Sequence, residues 1–204
     1  MRNLGPTLVM AAALGLVFPR SSAAQDPRLG RLDPAVRATV AAIIDTSRDA
    51  GLPTDPLVER ALEGATKHAT ADRSIATVRR LAGELAMARL ALGASSTPAE
   101  LNAAASALHA GVQPSDLTLL RQRRSKPLTV ALAVLADLVA SGVPADTAAA
   151  AVLALPPSAR DDQMSDFRRI VERDIALGAP PAAAAFVRAN AALRDRATMP
   201  NPKP

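Results

Sequence analysis

One short phrase occurs three times in this chain and narrows what it can fold into. Gly51-Leu52 is followed by Pro53-Thr54-Asp55, Gly111-Val112 by Gln113 and then Pro114-Ser115-Asp116, and Gly142-Val143 by Pro144-Ala145-Asp146. Each glycine stands where an apolar helical pattern stops, just past the helix end, where the backbone turns left-handed and a Cβ is costly. The Leu or Val after it folds back onto the last turn. The proline opens the next helix, where its missing N–H is not needed. The acid then faces the positive end of the new helix dipole. The phrase ends one helix, turns sharply and begins another.

The spacing between the glycines is irregular, so the repeat is degenerate and sets no strict solenoid period. A tetratricopeptide pattern needs aromatic residues at fixed places, and this chain has no Trp and no Tyr. No stretch alternates with period two for long enough to make a strand. The expected fold is all-α: an irregular array of short helical hairpins, either α-solenoid-like or a compact multi-helix bundle, preceded by a signal peptide.

The boundaries follow from start and stop signals. Residues 25–32 read as a polar lead-in and residues 33–196 as the helical domain. Asp33-Pro34 opens a helix that ends at Gly51. Asp55-Pro56 opens a short one that Gly64 should close. Thr70 caps a long helix to Leu92 with Gly83 in its interior, where glycine costs about 1 kcal/mol against alanine; either a close helix crossing compensates or the glycine is mere drift. Thr97-Pro98-Ala99-Glu100 is a capping-box pattern. The most apolar stretch, Leu128 to Ala140, is shorter than the roughly 20 residues of a membrane span and holds Asp137, so it is expected at the centre of the array. Ser158 to Asp161 resembles a further capping box, opening a helix to Leu177. The last helix, opened by Pro180-Pro181, has Phe186, Val187 and Leu193 as its apolar side. Residues 197–204 read as a Pro-rich frayed tail.

Residues 1–24 have the pattern of a secretory leader. Arg2 gives a positive start, Leu8 to Phe18 is apolar, and Ser22-Ala23-Ala24 is a small-residue cleavage site. Cleavage near Ala24 would leave the protein periplasmic or secreted; the alternative is a leader kept as an uncleaved anchor, for which the apolar run is short against the roughly 20 residues of a span. Arg2 and Arg20 leave with the leader and no acid does, which takes the formal charge from +5 to +3. The chain has no cysteine, hence no disulfide, thiolate metal site or lipid-bearing cleavage-site Cys. Export without disulfides fits a bacterial envelope. All three aromatic residues are Phe, and Phe18 lies in the leader, so alanine and leucine must do most of the packing.

Chemistry is sparse. His68 and His109 sit at helix ends, where an imidazolium favours the dipole, and His-Glu-x-x-His spacing is absent. Glu59 and Glu63 share a helical face beside Arg60 and Lys67, the arrangement of a solvated charged surface. No serine sits in Gly-x-Ser-x-Gly or Ser-x-x-Lys, and no phosphate-binding glycine loop is present. The sharpest local feature is the basic run Arg121, Arg123, Arg124 and Lys126. It marks either a contact with an anionic lipid or cell-wall polymer or the dipole-favoured end of a helix. Without neighbouring aromatics it lacks the stacking half of a nucleic-acid platform.

The function expected from these features is that of a non-catalytic protein-interaction or scaffold module of the envelope. Its partner would be an unidentified protein, with no cofactor and no nucleic acid. Two alternatives stand beside it: an envelope-associated binder of an anionic surface through residues 121–126, and a hydrolase whose site is assembled from distant residues.

Overall fold

The helix-ending phrase produces the geometry its residues call for. In the computed structural model, which describes residues 26–125 and 127–198, Gly51, Gly111 and Gly142 all have positive φ, as does Gly178. At each of the three repeated junctions the N–H two residues past the cap reaches back to a carbonyl of the last turn: Leu52 to Ser47 at 2.9 Å, Val112 to Ala107 at 3.1 Å and Val143 to Leu138 at 3.0 Å. These are Schellman endings, and the apolar residue that follows each glycine is buried.

The described residues form nine α-helices and one short 3-10 helix and contain no strand. In chain order the α-helices are α1 (Pro34–Asp49), α2 (Asp55–Thr66), α3 (Ala71–Leu92), α4 (Pro98–His109), α5 (Pro114–Arg123), α6 (Thr129–Ala140), α7 (Ala145–Ala154), α8 (Asp161–Ala176) and α9 (Pro181–Thr198). Packing passes along the chain. Helices α1, α2, α4 and α5 lie on α3, α4 joins α3 to α6, α7 and α8 lie on α6, and α9 closes against α7 and α8. One continuous core runs from Leu29 to Ala189. Its middle is α6, whose Leu132, Leu135 and Leu138 are fully enclosed. None of the described helices is long and apolar enough to cross a membrane.

Three local expectations are corrected, and at Gly83 one of two open readings falls away. The lead-in is not merely polar: Pro27–Arg31 forms the 3-10 helix, and Leu29 and Leu32 are buried. Arg28 ties it to the start of α2, with Nη2 donating to Asp55 Oδ1 at 2.6 Å and to Asp26 Oδ2 at 2.6 Å. Gly64 does not close α2, which continues to Thr66. There His68 takes the left-handed position at φ +50°, and Ala69 N–H reaches back to Gly64 O at 2.9 Å. Gly64 instead marks a close approach of α2 to α3, since a Cβ there would stand 2.9 Å from Ser74 Oγ. Gly83 is exposed and faces open space, so no helix crossing compensates its cost. Helix α8 starts at Asp161, with Gln163 Oε1 accepting the Arg160 N–H at 2.9 Å, two residues later than Ser158 suggests. The predicted leader, residues 1–24, lies outside the described residues, as do residues 199–204 of the tail; the part of the tail at 197–198 is the end of α9.

Candidate interaction surface

The basic run does not form a single outward patch. Arg121, at the end of α5, donates from Nη2 to Glu100 Oε1 at 2.6 Å. Glu100 is buried and already forms the capping box of α4, with Oε2 accepting the Thr97 N–H at 2.9 Å; its Oε1 also accepts the Leu128 N–H at 2.8 Å. Burial alone pushes its carboxyl up, but the Thr97 and Leu128 N–H groups and the Arg121 guanidinium outweigh that and hold it below its ordinary value. Arg123 is exposed, and its Nη1 donates to Leu153 O in the last turn of α7 at 2.8 Å, a cation at the negative end of that helix. Arg124 is only 4 % exposed. Its guanidinium donates to Ala159 O at 2.6 Å and to Pro156 O at 3.2 Å, and burial pushes its pKa down. Lys126 lies outside the described residues. Arg121, Arg123 and Arg124 thus clasp α5 to α4, α7 and the 155–160 connection. Their shared charge is legible in sequence, but their separate carbonyl and carboxylate partners are not.

Two of the remaining charged candidates, Glu63 and His109, are also engaged. Glu63 bridges Lys67 at 2.6 Å and Arg60 at 3.5 Å on the exposed side of α2. That contact with Lys67 holds its carboxyl below the ordinary range. His68 is exposed on its turn. His109 does more than favour a dipole: its Nδ1 lies 2.9 Å from Oε1 of Glu84, a buried carboxylate on α3. Glu84 escapes the sequence reading, although it interrupts the stripe of Val78, Leu81 and Leu85. Ser106, one turn before His109, donates its hydroxyl to Asn102 O. Among the described residues, no three His, Cys, Asp or Glu side chains come together as a metal site would need.

The largest departure from expectation is α9. Phe186 and Val187 are 65 % and 59 % exposed, and Leu193 is exposed too. The buried side is made of Ala184, Ala185 and Ala189. The reason lies in the partner helix. Helix α7 presents Ala148, Ala149, Ala151 and Val152 to the core. Alanine faces let two helix axes approach toward the roughly 8 Å end of the usual range, a separation that leaves no room for a phenylalanine between them. Large side chains are turned outward by small ones that fit better.

Leu177, at the end of α8, is 80 % exposed. Together with Ala183 and Val187 it lines a shallow groove that has Asp174 at its edge. Arg188 reaches across from α9 to Asp174, with Nε donating to Oδ2 at 2.6 Å and Nη2 to Oδ1 at 3.1 Å. This pair holds the Asp174 carboxyl below its usual range and fixes α9 on α8. On the inner side of α9, a cleft of about 580 Å³ is walled by Leu155, Pro156, Phe167, Ile170, Arg188 and Ala192. Arg124 secures its rim by holding the Pro156 and Ala159 carbonyls.

No family model, no curated protein and no solved structure matches this chain. The functional reading therefore rests on the geometry just described.

Proposed function

We propose that this protein is an exported, non-catalytic helical-hairpin module that works by docking an apolar helical surface of another protein on its C-terminal face. The observation that carries the reading is the exposure of Leu177, Phe186 and Val187 on adjoining parts of α8 and α9. Scattered exposed leucines are ordinary, but contiguous large apolar side chains are the usual mark of a protein contact. The leader-like residues 1–24 support a destination outside the cytoplasm.

The anionic-surface reading has less support, because Arg121 and Arg124 spend their charge on partners within the protein. The hydrolase reading gains a carboxylate–imidazole contact from Glu84 and His109, but the neighbouring Ser106 hydroxyl bonds its own helix and not the imidazole.

A photo-crosslinking side chain at Val187 tests the docking reading in the native cell. Protein adducts at Val187 and none at Ala38, on the exposed side of α1, are expected. A clean Val187 sample would contradict it. Terminal sequencing of protein from the cell envelope should begin at Gln25, and a retained Met1 would contradict the proposed processing.

A further inference from the structure

We infer that the occupant of the C-terminal face is a second copy of the chain, packed α9 against α9 about a two-fold axis. The inference rests on the docking reading above and names its partner. Along the outer side of α9, Ala183, Phe186, Asn190 and Leu193 follow one another at spacings of three, four and three residues. That is the a, d, a, d seam of a two-helix contact, in which each side chain seats between four of the facing helix. Ala183, Phe186 and Leu193 are exposed, Asn190 is half-buried, and Val187 flanks them.

Asn190 identifies the mate. A single asparagine at an a position weakens an apolar seam and fixes register and partner, because it needs a polar counterpart across the interface. Helix α9 spans Pro181–Thr198, so Asn190 lies beside its midpoint. A two-fold through that midpoint sets Asn190 against Asn190, and each amide offers both the donor and the acceptor that the other requires. An unrelated apolar helix would leave the asparagine unpaired.

The far end of the molecule decides between a closed pair and an open chain. A head-to-tail filament would press this apolar stripe onto the N-terminal end. That end carries the Asp26–Arg28–Asp55 ion pairs, with its leucines Leu29 and Leu32 facing inward. The apolar groove there between α1 and α3, lined by Ala42, Ile43, Leu52 and Ala86, contains no side-chain amide to pair with Asn190, so the contact closes on itself.

The test is sedimentation velocity over a concentration series, on the chain without residues 1–24, since residues 26–198 already enclose one continuous core. The unaltered chain should sediment as a dimer that dissociates on dilution. Phe186→Glu combined with Val187→Glu should weaken the dimer by about tenfold or more, with helical circular dichroism unchanged. Leu90→Glu, at a still more exposed leucine on α3, should leave it intact. Asn190→Leu should tighten association or admit larger species. A chain that stays monomeric throughout, or a dimer indifferent to Phe186→Glu with Val187→Glu, overturns the inference. If the purified chain is monomeric while Val187 crosslinks a different protein in cells, the docking reading survives and the self-association reading does not.

Discussion

The two ends of this molecule both carry large apolar residues and are finished in opposite ways. At the N-terminal end, a short 3-10 helix folds Leu29 and Leu32 inward and holds itself to α2 through Arg28 and Asp55. At the C-terminal end, α9 folds alanines inward and leaves Phe186 and Val187 in solvent. Stacked helical units need a polar outer face on their terminal members to remain soluble as monomers. The first end has such a cap and the second lacks one. Size sets the difference, because α7 offers α9 a face of alanines that only other small residues can approach.

The contrast can be broken or sharpened by substitution, beginning with the largest effect. Glu100→Ala should cost about 3 kcal/mol or more, because it leaves Arg121 without its carboxylate and the Thr97 and Leu128 N–H groups without acceptors. Since α4 joins α3 to α6, urea unfolding should lose both ends in one transition; separate transitions would mean the halves are independent. Leu29→Ala should cost about 2–4 kcal/mol, as for a buried leucine. Its counterpart Phe186→Ala, measured at a dilution where the chain is monomeric, should change stability by no more than about 0.5 kcal/mol. Equal costs at the two positions would erase the distinction between the ends. Gly83→Ala should stabilise by about 1 kcal/mol or less, because its Cβ meets open space on an exposed helical face.

Acid should not distinguish the ends. Asp26 at one end and Asp174 at the other are both held below their ordinary value, first by the hydrogen-bonded Arg28 and Arg188 respectively, and Glu100 in the middle is held low as well. A carboxylate with a depressed folded pKa contributes stability above its unfolded value, and that contribution is lost as pH falls through the folded one. For Glu100, whose ordinary value is 4.5, the melting temperature should therefore start to decline as pH falls below that value. A decline beginning well above it would point to a different group.

Much of the helical layout is readable in the residues because its signals are local. The glycines at 51, 111 and 142, the Thr97–Glu100 capping box and the Asp33-Pro34 start act within one turn of chain, and each appears in the structure. What is not readable depends on contacts distant in sequence. His68 takes a position usually given to glycine, and Gly64, which looks like a helix end, marks a close approach to Ser74. The basic run reads as one charge, but its arginines reach three separate partners. The orientation of α9 is hidden for a different reason. Alanine and phenylalanine both count as apolar, so the stripe does not reveal which side is core until the alanines of α7 are known to face it. The same limit applies to the proposed docking surface, which is visible only as the side of α9 that packing leaves over.

The most direct test uses the absence of cysteine from the chain. A lone thiol can form a disulfide only with another copy, and only if the two Cα atoms come within about 7 Å. Under mild oxidation, Asn190→Cys should yield a covalent dimer that retains its helical content, whereas Ala38→Cys at the capped end should remain monomeric. Efficient crosslinking at Ala38, or none at Asn190, would contradict the account.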